Sequence, residues 1–138
     1  MKKIFLFIAL GVFSATLLCA QPKQHKIIFD FTEADTASFS TMVRHATNLM
    51  LMTGTAKLEI VCHGPGLDFL LKGKTTVQKE IEELNSKYLV VFAACEATMK
   101  RRGVDKNQLL SSTITVPAAI LELSAKQQEG WSYIKEGY

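Results

Sequence analysis

The chain has 138 residues, 48% of them hydrophobic and 21% charged, with a formal net charge of +3. This length and composition fit one globular domain with a real core. They offer no clustered basic face of the kind nucleic acid requires, and no internal repeat, low-complexity tract or long polar linker interrupts the chain.

The first twenty residues stand apart from the domain. Lys2 and Lys3 precede an apolar run, residues 4–18, broken only by Gly11, Ser14 and Thr16. The run is shorter than the roughly 20 residues of a membrane span and reads as a cleavable secretory signal peptide. Cleavage after Ala20 leaves a single domain, residues 21–138, in the periplasm or outside the cell. Removing Lys2 and Lys3 brings the formal charge from +3 to about +1. Leu18 is bulky where processing prefers a small residue, and it argues against the rival fate, lipid modification of Cys19. Nothing later in the sequence has the length and hydropathy of a membrane span.

Strand-length apolar runs then alternate with stretches of helical period. KIIFDF, Lys26–Phe31, is a first strand. Phe39, Met42, Val43, Ala46, Leu49 and Met50 form one apolar face of a helix over residues 36–52. KLEIVC, Lys57–Cys62, is a second strand beyond Gly54. A Gly-Pro-Gly turn and a short apolar segment, 67–71, lead to a helix over 75–86, where Thr75 and Gln78 have capping-box spacing. Residues 88–94 form an uncharged third strand, as expected for a sheet covered on both faces. A short basic helix runs to Arg102, with Gly103 as its stop. Thr113–Val116 is a fourth strand, and Pro117 opens a helix over 118–129 that Gly130 closes. WSYIK, residues 131–135, is the last strand.

This order implies an α/β fold: a doubly wound, mostly parallel five-stranded sheet with helices on both faces, flavodoxin-like. Ligands of such sheets bind beyond the carboxyl ends of the strands. Three loops converge there, carrying Thr32 and Glu33 after the first strand, His63 and Gly64 after the second, and Cys95 after the third.

Cys95 stands where a helix begins. Unpaired N–H groups in that turn, such as that of Thr98, stabilise a thiolate over a thiol. Lys100, Arg101 and Arg102 add positive charge about one turn away, while Glu96 opposes them. His63 is in reach to share a proton with Cys95 or to orient a ligand. His25 and His45 read as structural or exposed, and Cys62 as a strand end pointing into the core. The competing reading makes Cys95 buried packing, since free cysteine is among the most buried residue types.

Export also brings a Cys62–Cys95 disulfide into consideration. Were the first strand to lie between the second and third, their ends would be about 9–10 Å apart, beyond the usual reach of about 7 Å. Adjacent residues of one strand point to opposite faces, so Cys62, His63 and Cys95 make a poor metal set, and no CxxC or HxxxH spacing exists. HGPG is neither a P-loop nor GxGxxG, so no nucleotide cofactor is implied.

Three segments, HGPGLDFLL, CEATMKRRGV and VPAAILELSAKQQEGWSYIK, together resemble the DsrE/DsrF-like family, over essentially all of residues 26–135. The resemblance implies a flavodoxin-like fold that assembles as trimers or hexamers. It also implies sulfur relay, in which a cysteine persulfide receives sulfur from a donor and passes it to an acceptor thiol protein. The matching cysteine is Cys95. The alternative is a non-catalytic oligomeric module of the same fold, holding a small ligand or a partner peptide, with Trp131 and Tyr133 of the last strand packing at a subunit contact or over the core.

Overall fold

The computed structural model describes residues 24–137. Residues 1–20, which the sequence pattern reads as a signal peptide, lie outside the described residues, Cys19 among them.

Five strands and four α-helices alternate: β1 Lys26–Phe31, α1 Thr36–Thr53, β2 Lys57–Cys62, α2 Gln78–Tyr88, β3 Val91–Cys95, α3 Glu96–Arg102, β4 Thr113–Val116, α4 Ala119–Gln128 and β5 Ser132–Glu136. The Gly-Pro-Gly segment winds into a 3-10 helix, Gly64–Leu70, between β2 and α2. β1, β2 and β4 have the boundaries that their apolar patterns predict.

All strand pairs are parallel, in the order β4-β3-β2-β1-β5. The α/β architecture is the one the sequence implies, but β2, and not β1, lies between its two neighbours. Each of the first three crossovers moves the chain one strand onward in the same direction. Right-handed crossovers then put α1, α2 and α3 together on one face. The fourth connection reverses past β1, which puts α4 on the other face.

The sheet therefore has two unequal cores. On the first face Phe31, Phe39, Phe69 and Phe92 meet with ring centroids 5.0–6.2 Å apart. Met42, Ala46 and Met50 of α1 and Ile81 and Leu84 of α2 pack there too, at the helical spacing expected of an apolar stripe. On the second face Ile28, Val61, Ala93, Cys95 and Val116 lie under Ala119 and Leu123 of α4, with Trp131 at the margin. Lys126 of α4 also reaches Glu59 of β2 at 3.3 Å and stands over the Trp131 ring.

α2 starts three residues later than capping-box spacing predicts. The Thr75 hydroxyl accepts the Val77 N–H at 3.3 Å, and Thr75 N–H donates to Leu71 O. That local turn competes with the helix until Gln78. The helix then runs to Tyr88 and ends on Leu89, which takes a left-handed conformation, φ 58°, with its side chain 79% exposed.

The left-handed region costs a branched side chain about 1–2 kcal/mol, and little burial of Leu89 offsets it. Leu89→Gly should raise stability by about 1 kcal/mol, read as a higher urea midpoint at unchanged slope. Gly66 is constrained in the opposite sense. A Cβ there would stand 2.5 Å from Phe31 O and 2.7 Å from the Thr32 Cα, backbone that cannot yield cheaply. Gly66→Ala should lower stability by about 1–3 kcal/mol in the same assay.

Candidate functional site

The parallel registers carry the chain past the strand ends in step. Phe31 is opposite Cys62, Cys62 is opposite Ala94, and Cys95 is opposite Val116. His63 continues β2 in extended conformation, φ −147°, ψ 173°. It therefore stands abreast of Cys95, about one strand spacing (~4.8 Å) away. Thr32, His63 and Cys95 form one row across the carboxyl end of the sheet, and side-chain alternation puts that row on the second face. Asp30 lies one row below, opposite Lys135 of β5 and Val61 of β2.

The same alternation separates the two cysteines. Cys62 packs in the first core and Cys95 in the second. Their strands are neighbours, so the strand separation expected to keep them apart is absent, yet they point to opposite sides of the sheet. Both thiols are free.

Cys95 is 4% exposed and ringed by donors. Ala119 N–H at the start of α4 points at its sulfur at 3.4 Å. The Thr98 hydroxyl and the N–H groups of Thr98 and Ala97 complete the set. Burial pushes the thiol up, but these hydrogen bonds outweigh it and hold Cys95 below the ordinary thiol value. The Thr98 hydroxyl also accepts Gly64 N–H at 3.1 Å, so one side chain ties the HGPG loop to the sulfur. Arg102 of α3 fastens that loop again, donating to Gly64 O at 3.0 Å and pairing with Asp68.

Glu96, next to the sulfur in sequence, is turned away from it. Its carboxylate accepts the Thr115 hydroxyl at 2.6 Å and pairs with Lys106 at 2.9 Å. Thr115 is opposite Ala94 in register, so it belongs to the first face. The Thr115 and Lys106 contacts hold Glu96 below the usual carboxylate range, and its charge is matched where it sits.

Cys62 shows what burial does without donors. Desolvation, reinforced by the negative Asp30, pushes its thiol well above the ordinary value. It is a fully buried residue of the first core.

Beside the thiol row lies a polar cluster around Asp30, which is 8% exposed. Its carboxylate meets His63 Nε2 at 2.7 Å, the Tyr133 hydroxyl at 2.8 Å and Lys135 Nζ at 3.6 Å. Lys135 also donates to the Thr32 hydroxyl at 2.6 Å. The hydrogen bond to Asp30 holds the Tyr133 phenol above its ordinary value. Of the residues picked out in the sequence, His63, Thr32, Gly64, Thr98 and Cys95 thus share the carboxyl end of the sheet. Glu33 stands at their margin, accepting the Thr32 hydroxyl at 3.5 Å, and lines an adjoining cavity of about 610 Å³ with Arg44, His45, Lys135 and Glu136, where exposed His45 meets Glu136 at 2.8 Å. Asp30 and Tyr133 were missed. Asp30 is hidden inside an apolar strand, and the alternation of KIIFDF with HGPG's histidine just past the second strand is the only signal that pairs them.

Among the described residues no three His, Cys, Asp or Glu side chains gather as a metal centre requires, and no helix is long and apolar enough to cross a membrane.

The chain matches the model of the DsrE/DsrF-like family over residues 25–135. No functionally curated protein matches it. Among solved structures it is similar to MTH1491, a protein of unknown function from Methanobacterium thermoautotrophicum. That likeness has a TM-score of 0.76 and 25% identity, over 81% of this chain and 99% of the other. The YchN protein of E. coli shares the fold, with a TM-score of 0.66 and 18% identity over 81% of this chain and 99% of its own. With a family match that spans the whole parallel sheet, the chain belongs to the DsrE/DsrF-like family.

Proposed function

We propose that this protein is an exported sulfur carrier, loading sulfur from a donor as a persulfide on Cys95 and yielding it to an acceptor thiol protein. The observation that carries this reading is the ring of donors around Cys95, three backbone N–H groups and the Thr98 hydroxyl. Thiolates are the attacking species in sulfur exchange, and a persulfide is likewise an anion that such donors stabilise. His63, at the strand end next to that of Cys95, is the second catalytic group. Thr32, Gly64 and Thr98 border the space where the transferred sulfur would sit, with Glu33 farther along the rim. The chemistry needs no metal and no organic cofactor.

Export rests on the signal-peptide pattern of residues 1–20, which sends residues 21–138 to the periplasm or beyond. Exposed Ile114, Ile120 and Leu121, close in sequence to the thiol's partners Val116 and Ala119, support assembly into a homo-oligomer, for which the family resemblance implies a trimer or a hexamer.

One observation favours a second reading. With Cys95 only 4% exposed, the thiol suits a non-catalytic oligomeric binding module in which the residue merely packs. Incubating reduced protein with a sulfur donor and taking its intact mass separates the two. The carrier gains one sulfur, mapped to the Cys95 peptide and lost on reduction. Cys95→Ser gains none, and Cys62→Ser still loads. An inert wild type would leave the binding module.

The lowered thiol value gives a further expectation. Cys95 should alkylate with a pH midpoint below that of a free cysteine, whereas Cys62 stays unreactive in the folded protein. Thr98→Val removes one donor to the sulfur and should move that midpoint upward, slowing alkylation at neutral pH by up to about tenfold. Native-state alkylation followed by peptide mass mapping reads both.

A further inference from the structure

The Asp30 cluster has chemistry that the thiol's own donors do not supply. Asp30 is an acceptor, so the 2.7 Å contact fixes the proton of His63 on Nε2. Nδ1 then has no protein partner among the described residues and is free to give or take a second proton. His63 stands abreast of Cys95 through the continued ladder. Tyr133 of β5 donates to the other Asp30 oxygen at 2.8 Å, which fixes the carboxylate plane from the far side.

We propose that His63 exchanges protons with the thiols that enter and leave at Cys95, and that Asp30, held by Tyr133, is the positioning residue that orients it. This rests on the carrier reading. In loading, the Cys95 thiolate attacks the outer sulfur of a donor R–S–SH. A new S–S bond forms, the donor S–S bond breaks with its electron pair on R–S⁻, and the His63 imidazolium protonates that leaving group to R–SH. Cys95 is left as Cys–S–SH and His63 neutral. In delivery the neutral imidazole takes the proton of the acceptor thiol R′–SH. Its thiolate attacks the outer sulfur, and Cys95 leaves as the thiolate that the Thr98 and Ala119 donors hold. The outer sulfur is only transferred between thiols, so no external oxidant or reductant enters.

A leaving group's demand for a proton distinguishes this role from a structural one. A departing alkyl thiolate is basic and gains from a positioned acid, whereas sulfite leaving from thiosulfate gains little. The titratable and charged groups around His63 are Asp30 of β1, Cys95 of β3, Arg102 of α3 through the Gly64 carbonyl, and Tyr133 and Lys135 of β5.

The test measures loading of the full mature protein from glutathione persulfide and from thiosulfate, in wild type, His63→Gln, Asp30→Asn and Tyr133→Phe. His63→Gln should slow loading from the persulfide by about 100-fold and from thiosulfate by less than about threefold. Asp30→Asn should show the same donor contrast at about tenfold, and the pH profile with the persulfide should lose its alkaline limb in His63→Gln but keep one in Asp30→Asn. Tyr133→Phe should show it more weakly. A variant that merely misfolds would lose both donors equally. Equal losses in variants that keep the wild-type urea midpoint, or no loss, with wild type still loaded would overturn the proton role and leave the carrier standing. Wild type that loads from neither donor would overturn both.

Discussion

What the whole site depends on is the register of β2 against β3, with Cys62 opposite Ala94. A strand slipped by one residue turns every side chain to the other face. For β3 such a slip would expel Phe92 and Ala94 from the larger core, where both are fully buried. Losing the burial of one phenylalanine alone costs about 1.5–3 kcal/mol. It would also bring Cys95 to the face away from His63 and Asp30. The packing of four phenylalanines on one side of the sheet thus holds the thiol row in place on the other.

That division explains why two buried cysteines at neighbouring strand ends have opposite character. Both pay for desolvation, which alone raises a thiol. Cys62 finds only apolar neighbours and the negative field of Asp30. Cys95 ends its strand where α3 and α4 both begin, and each helix start offers N–H groups with no partner inside its own helix. Ala97 and Thr98 come from one start and Ala119 from the other. The β4–α4 turn is itself tied to this place, because Ala97 N–H also lies 3.2 Å from Pro117 O. Low exposure then strengthens the donors' hold on an anion, since little water screens them.

Much of this was legible in the sequence. KIIFDF, KLEIVC and TITV announce their strands, and the cysteine beyond an apolar run announces a strand-to-helix junction. The start of α2 was not legible, because a hydroxyl at Thr75 serves a local turn as readily as a helix cap. Nor was the strand order. Apolar periodicity reports which face a residue lies on, but nothing in it says which strand is a neighbour, and the direction of each crossover is decided by helix packing on the sheet. Asp30 is the instructive residue. As one charge within KIIFDF it looks like an interruption of a core strand. Its role depends on His63, thirty-three positions on, and Tyr133, more than a hundred on, and both meet it only through the parallel registers.

The observed order also moves the crevice of the fold. Ligands of doubly wound sheets gather where the winding reverses. Here that point is between β1 and β5, two and a half strand spacings or about 12 Å from β3. The thiol is therefore not at the reversal. The two are joined by polar side chains that cross the strands between them, from Tyr133 and Lys135 on β5 to Asp30 on β1 and His63 at the end of β2. Each link needs a polar residue at one fixed row of an otherwise apolar sheet face, and each is satisfied by the next. A buried carboxylate with only one of these partners would be costly. With all of them it is satisfied, and the contacts join the exposed terminal strand to the His63 turn at the end of β2, the strand next to that of Cys95.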